Sequence, residues 1–581
     1  MSRIAILVVV VSVLGLNGCT QATKNSIEHR VANEIIERRP ELTTVKPQEG
    51  ISRGSVTGQA TGKGYDHPNE YITEFATTIA SNMEPVIPHP KQDEEVAAKL
   101  AELEAKTGKK PNVLIFLMDD VGWMDPGFNG GGVAVGNATP NMNSLAHGGL
   151  VLTSAYSTPS CTPTRATIHT GQNPLHHGLL RPPMYGEKGG LDGETTFPMI
   201  LQERGYVTQG IGKWHMGENE GSLPQNVGYD DFYGFLGVSD MYTEWRDQYF
   251  NPEVALSPKR FAMYQMVMPF NRNNVHCTPG DKKKCEDKYE INLSTIRDLD
   301  QDWAKYSENF IRGMADSDKP FFLYHATRGC HFDNYPNDEY LGKSRARTDF
   351  SDCMIEMDDI LGQLVAALEE TNQLENTLIF LTSDNGPECE INPQGRSPFR
   401  GCKGSSWEGG VRVPTFAYWK GMIKPARSDA IFDLADLFNT TLSLAGLKGG
   451  DVGAKLPKKR YVDGIDQLGF LVGDEHLSAR KSRIYTMGAQ SSALRVDEFK
   501  GSSAVELEGA IFQKGNIGGF SGAIITQTGG VVVTNLYTNP KEDTTIGIRH
   551  IPMGVLLGAE AQRYNEVLEK FPPQIKVGFT N

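Results

Sequence analysis

The sequence predicts an α/β protein: a doubly wound, mostly parallel sheet sandwiched by helices, followed by a smaller lobe of short β segments and a helix. Three observations carry this. The run Asn112–Met118 (NVLIFLM) is continuously apolar rather than alternating, as a parallel strand covered on both faces must be. Similar runs at Tyr206–Ile211, Pro320–Tyr324, Thr377–Leu381 and Val413–Trp419 alternate with helical patterns at Thr195–Arg204, Phe350–Glu370 and Ile431–Ala445. Finally, most of these strands run straight into charged or amide side chains, at the edge where open α/β sheets gather their ligands.

The composition fits that class. The chain has 581 residues, 39% of them hydrophobic and 22% charged, which excludes a disordered chain, a fibre and a polytopic membrane protein. A formal net charge of −14 argues against nucleic acid as a partner, because such binding needs a dominant basic field.

Before the first strand comes an address. Arg3, the apolar run Ile4–Leu16 and the tetrad Leu16-Asn17-Gly18-Cys19 read as a signal peptide ending in a bacterial lipobox, residues 1–19. Cys19 is then the lipidated first residue of an extracytoplasmic lipoprotein, held to a membrane in the periplasm or at the cell surface. Residues 20–110 read as a polar tether and N-terminal extension, with a helix-forming run from Asp93 to Lys106 packed outside the core.

The catalytic α/β domain is expected over 111–450. Its first strand is followed by Asp119-Asp120, the second by Lys213-Trp214-His215, the third by His331 and the fourth by Asp384-Asn385-Gly386. The carboxylates of Asp119, Asp120 and Asp384 with the Asn385 carbonyl make a hard oxygen site suited to Ca²⁺ or Mg²⁺ rather than zinc. Without a cation those carboxylates are expected to repel one another. The segment Ser160-Cys161-Thr162-Pro163-Thr164-Arg165-Ala166-Thr167 reads as a loop entering a helix, which favours negative charge on Cys161 and brings Arg165 one turn along. On local grounds alone Cys161 is either a reactive group or a buried structural cysteine.

C-T-P-T-R-A-T matches the C-x-P-x-R signature of the type I sulfatases, members of the alkaline-phosphatase superfamily. The resemblance extends over about residues 111–540 and includes the N-x-x-x-x-x-x-D-D opening and the GKWHMG, PFFLY…H, SDNG and RGCKGSSWEGGVRVP blocks in family order. It implies a large mixed sheet with a small C-terminal antiparallel sheet plus helix. It also implies that a maturation enzyme oxidises Cys161 to formylglycine (3-oxoalanine), whose hydrate attacks the sulfur of a sulfate ester. Asp119, Asp120, Asp384, Asn385 and the group at Cys161 match the family's metal ligands, usually for Ca²⁺. Arg165, Lys213, His215, His331 and Lys403 match the residues around the ester. Lys213, Lys403 and Arg165 would meet the sulfuryl oxygens, His331 would protonate the leaving alcohol, and His215 would take the last diol proton so that sulfate is expelled. Glu408 is read as a structural partner, as are Asn112 and Gly386.

The remaining features are read as follows. Residues 451–581 form the second lobe, with β-like segments at Arg483–Met487, Ala493–Phe499, Gly522–Thr526 and Val531–Tyr537 and a helix over Ala559–Lys570. Of 8 cysteines, Cys277 and Cys285 are the most plausible disulfide pair, and the lack of a C-x-x-C spacing disfavours zinc. Tyr229–Phe270 reads as an insertion that either shapes the substrate entrance or adds core packing. The expected activity is hydrolysis of an aryl sulfate or a sulfated carbohydrate. Two alternatives are a phosphonate or phosphodiester hydrolase of the same superfamily and a non-catalytic lipoprotein that binds sulfated glycans.

Overall fold

The computed structural model describes residues 77–577 except 79, 184–186, 268–272, 390–394, 507–523, 527–530, 544–549 and 551. The leader, Cys19 and the tether through residue 76 lie outside the described residues.

A large sheet organises the chain. Its strands are β1 (Asn112–Met118), β2 (Leu150–Leu152), β3 (Val207–Lys213), β4 (Asp231–Phe235), β5 (Asn273–Cys277), β6 (Glu286–Glu290), β7 (Phe321–Ala326), β8 (Thr377–Ser383), β9 (Phe416–Tyr418) and β10 (Ala426–Ser428). They are ordered β10-β2-β9-β8-β1-β7-β3-β4-β5-β6. The central strands β8, β1, β7, β3 and β4 are parallel to one another. Beyond them β9 pairs antiparallel with β8 and β2, and β5 antiparallel with β4 and β6.

β1 shows why its sequence is continuously apolar. Val113, Ile115 and Leu117 enter one core with helices α3 (Cys161–Thr170), α4 (Phe197–Glu203) and α7 (Asp436–Leu444). Leu114, Phe116 and Met118 enter the opposite core with α2 (Pro140–His147), α5 (Leu299–Gly313) and α6 (Asp349–Glu370). Both faces are therefore dry, and no position on the strand can carry a polar group toward water. The helix α1 (Pro90–Thr107) buries Val96 and Leu103 in the first core. Gln92 at its start exchanges two hydrogen bonds with the Leu477 backbone, at 2.9 and 2.8 Å.

Register puts the chemistry at one level. Met118 pairs with Ser383, Leu117 with Ala326, and Gly212 with Ala326, so β1, β8, β7 and β3 end side by side. Asp119, Asp384 and Lys213 emerge together because of this alignment.

Three expectations are corrected. Part of the segment read as an insertion, Asp231–Phe235, is the core strand β4; its acidic start and internal Gly234 disguised it. The run Ile431–Ala445 is not one helix, because Phe432–Asp433 pairs with Ala155–Tyr156 and α7 begins only at Asp436. The run Val413–Trp419 shortens to β9, which is antiparallel. Cys277 is bridged to Cys285, and a second bridge joins Cys389 to Cys402, next to Lys403. Cys330 and Cys353 are buried free thiols.

The second lobe is an antiparallel sheet of β11 (Ser482–Met487), β12 (Gln490–Val496), β13 (Phe499–Ser502) and β14 (Val532–Asn535). Helix α8 (Gly554–Lys570) covers it, Leu557 packing with Leu494, Val496 and Val533. Glu408 ties this lobe to the two-stranded ladder of Ala155–Tyr156 and Phe432–Asp433. Its buried carboxylate accepts Tyr156 at 2.6 Å, Tyr485 of β11 at 2.7 Å and Lys500 of β13 at 3.3 Å. Lys500 also reaches Glu542 at 2.8 Å, and Glu542 accepts the Glu408 backbone N–H at 2.8 Å. Burial opposes charge on Glu408, but Lys500, Arg412 and Arg495 overcome it and hold its carboxyl at about 2, below the ordinary 4.5.

Glu408→Ala should lower the unfolding midpoint, since removing one member of a buried charge network costs about 3–5 kcal/mol. Because the folded-state pKa lies below the unfolded one, the stability from Glu408 is present above pH 4.5 and fades as pH falls toward about 2. Thermal scans of wild type and Glu408→Gln across that window should converge at the acid end.

Candidate active site

The site grows from the aligned strand ends. Asp119 and Asp120 follow β1, and Asp120 adopts a left-handed φ of 58° that turns the pair back toward the sheet edge. Asp384 and Asn385 follow β8, Lys213 closes β3, His215 (φ 56°) comes two residues later, and His331 lies in the loop after β7. Cys161 is the first residue of α3, whose ten residues are all buried. Lys403 comes from the loop before Glu408, beside the Cys389–Cys402 bridge. All nine of these residues, and Arg165 on α3, are no more than 6% exposed.

Hydrogen bonds join them. Lys213 Nζ donates to Asp119 Oδ2 at 2.6 Å. Lys403 Nζ donates to Asp120 Oδ2 at 2.8 Å and lies 3.3 Å from His331 Nε2. Arg165 donates from Nε and a terminal nitrogen to Asp384 Oδ2, at 3.0 and 2.8 Å, and reaches Asp119 at 3.6 Å. Cys161 Sγ stands 3.5 Å from Asp119 Oδ1 and 3.9 Å from Asp120 Oδ1. Thr162 donates to the His215 carbonyl at 2.6 Å, seating the end of β3 against the start of α3. Asn385 Nδ2 donates to Asp120 Oδ1 at 2.6 Å.

The carboxylates do repel, Asp119 and Asp120 both raising Asp384, but each also faces a cation of its own: Asp119 meets Lys213, Asp120 meets Lys403 and Asp384 meets Arg165. Charge balance alone therefore does not demand a divalent ion. The argument for one rests on donor chemistry. Asn385 Oδ1 is buried with no hydrogen-bond partner among the described residues, an expensive state for an amide oxygen unless something positive meets it. The donor atoms of Asp119, Asp120, Cys161 and His331 lie within 4.8 Å of one another. Asp384 adjoins this cluster through its Oδ1, which accepts the Asp120 N–H at 3.3 Å. The residues fit a hard divalent cation.

The electrostatics divide the titrating groups. Burial raises Asp119, yet Lys213, His331, Arg165 and Lys403 hold it well below the usual carboxylate range. Burial and the neighbouring Asp119 push Asp384 up to about 6 against Arg165 and Lys213. Burial and Asp384 push the Cys161 thiol well above its ordinary value, so at neutral pH it is a thiol. The helix N-terminus was expected to favour negative charge there; the buried carboxylates win. Burial together with Lys213 and Arg165 drives His215 far down, leaving it neutral, and both its ring nitrogens lack partners among the described residues. Burial, Lys403 and Lys213 lower His331, but Asp120 and Asp119 outweigh them and raise it overall.

One contributor escaped the sequence reading. His331 Nδ1 meets Asp333 Oδ1 at 3.2 Å, and Asp333 is fully buried. The only trace in the sequence is a carboxylate two residues after a histidine, a spacing too common to single out.

A buried cluster of cations and carboxylates around a cysteine at a helix start, at the carboxyl edge of an α/β sheet, is suited to binding and hydrolysing an anionic ester. The sulfatase family model matches residues 111–447, and a second model, AslA_C, for the C-terminal domain of the sulfatase AslA, matches 492–569. The chain belongs to the sulfatase family of sulfuric ester hydrolases. It is similar to the PsFucS1 sulfatase from Pseudoalteromonas sp., a crystal structure, at 39% identity and a TM-score of 0.81, covering 86% of this chain and 99% of that one. It is 32% identical over 380 residues to the N-acetylgalactosamine-6-sulfatase of Canis lupus familiaris, covering 63% of this chain and 66% of the relative. It is also 32% identical over 394 residues to human arylsulfatase G, covering 63% of this chain and 70% of that protein.

Chelation should lower the thermal midpoint and Ca²⁺ should restore it, since a ligand of the folded state alone stabilises by RT ln(1 + [L]/Kd). In Asn385→Ala the chelated midpoint should itself fall, because Asp120 and the Gly386 carbonyl lose a buried N–H, and the increment between chelated and Ca²⁺-loaded protein should shrink as well. An unchanged increment would show that Asn385 does not hold the ion.

Proposed function

We propose that this chain is a formylglycine-dependent sulfatase that hydrolyses sulfate esters of carbohydrates, working outside the cytoplasm as a lipoprotein anchored through Cys19. The observation that carries the reading is Cys161 at the first turn of α3, ringed by Arg165, Lys213 and Lys403 and facing Asp119 and Asp120. Its raised thiol pKa supports conversion, because an unmodified, neutral thiol in this setting is a poor nucleophile. The name of the canine relative supports a sugar ester over an aryl ester. The leader motif of residues 1–19 supports export and anchoring.

In this reading Asp119, Asp120, Asp384 and Asn385 hold Ca²⁺, with Mg²⁺ as the other hard cation the set admits. Such an ion lowers the pKa of a hydroxyl beside it and stabilises charge on the sulfuryl group. A maturation enzyme using an external oxidant would convert Cys161 to an aldehyde, whose hydrate would offer one hydroxyl to attack sulfur, its proton passing to Asp384, and a second to eject sulfate afterwards. The protein's own groups do the rest. Arg165, Lys213 and Lys403 are preorganised cations for the sulfuryl oxygens, in a buried setting where each counts for more than in water. His331, whose Nε2 lies 3.3 Å from the Lys403 ammonium, relays a proton through Nε2 to the departing oxygen, with Lys403 as its source. His215, kept neutral, is free to accept the proton released at residue 161 when sulfate leaves.

The test is release of inorganic sulfate from 4-nitrophenyl sulfate and a panel of sugar sulfates, run beside bis(4-nitrophenyl) phosphate. Wild type should favour the sulfates, and Cys161→Ala should lose about a thousandfold or more, the scale of removing a covalent nucleophile. A large preference for the phosphodiester would overturn the reading. Tight binding of sulfated glycans without turnover by aldehyde-bearing protein would also overturn it.

A further inference from the structure

Residues 236–267, the part of the predicted insertion that lies beyond β4, hydrogen-bond to a carboxylate beside the chemistry. Asp333 receives Ser239 Oγ on Oδ1 at 2.6 Å and Thr243 Oγ1 on Oδ2 at 2.9 Å. Both hydroxyl residues are fully buried and bracket the helical turn Asp240–Thr243. Asp333 Oδ1 also meets His331 Nδ1 at 3.2 Å. The other ring nitrogen, Nε2, faces Lys403 at 3.3 Å and Asp120 at 3.8 Å.

The geometry has a chemical consequence. A carboxylate only accepts hydrogen bonds, so Nδ1 of His331 must be the donor in this pair. That fixes the tautomer and leaves Nε2 as the position at which a proton can be carried and given up toward the site. The two hydroxyls in turn hold the carboxylate by its two oxygens: Ser239 donates to Oδ1, and Thr243 donates to Oδ2 at 2.9 Å with the Ser239 carbonyl as a second acceptor at 3.1 Å. Packing alone does not require the charge, since an amide would fill the same volume.

We propose that Asp333 is a positioning residue for the acid of the reaction, and that Ser239 and Thr243 hold it in register. The segment after β4 thereby contributes to protonation of the leaving group. This rests on the role given to His331 in the proposed sulfatase.

The test exploits leaving groups. A 4-nitrophenolate departs without a proton, whereas a sugar alkoxide needs one. Turnover of 4-nitrophenyl sulfate and of a sugar sulfate would be measured for wild type, Asp333→Asn and the double variant Ser239→Ala/Thr243→Val, each normalised to its aldehyde content at residue 161. Asp333→Asn should fall about 10–100-fold on the sugar sulfate, the usual scale for a group that orients a ligating or catalytic histidine. It should stay within about threefold on the nitrophenyl ester, where acid assistance adds little. The double variant, which keeps the carboxylate, should show the same split more weakly. In a His331→Gln background Asp333→Asn should add nothing. Equal losses on both esters, or losses that multiply in that background, would overturn the proposal. A wild type that hydrolyses neither ester would instead overturn the sulfatase reading beneath it.

Discussion

The structure depends on a balance of buried charge at one edge of a sheet. Asp119, Asp120 and Asp384 are taken wholly out of water and each is answered by a cation, Lys213, Lys403 and Arg165 respectively. Desolvation on this scale is tolerable only when every partner is in place. The partners come from β1, β8, β3, α3 and the loop before Glu408, so these parts of the chain are held to a common register. The parallel pairing of β8, β1, β7 and β3 is what supplies it.

The same balance prepares the chemistry. A pocket that already holds fixed cations around a helix start needs little rearrangement to meet an anionic sulfuryl group. It also needs that arrangement protected. The Glu408 network anchors the loop carrying Lys403 to the second lobe through Tyr485 and Lys500, so the small sheet acts on the site without contributing a side chain to the ring around Cys161. The Cys389–Cys402 bridge constrains that loop from its other end.

Much of this was legible in the sequence, for physical reasons. A strand dry on both faces must be continuously apolar, so β1 and β8 announced themselves and the residues after them could be placed at the sheet edge. β4 did not, because DFYGF opens on a carboxylate and is broken by a glycine. The ring residues sit in recognisable blocks. Asp333, Ser239 and Thr243 do not, because their partnership spans distant stretches of chain and only the fold brings them together. The pairing of each carboxylate with its own cation was equally hidden, since sequence reports the charges and not which face which.

In the proposed reaction residue 161 does not act as a cysteine. Peptide mass spectrometry across residue 161, on protein purified from its native host, tests it most directly. The mass of the aldehyde and of its hydrate should appear in place of that of the thiol. A uniformly unmodified thiol in protein that still releases sulfate from its ester would contradict it.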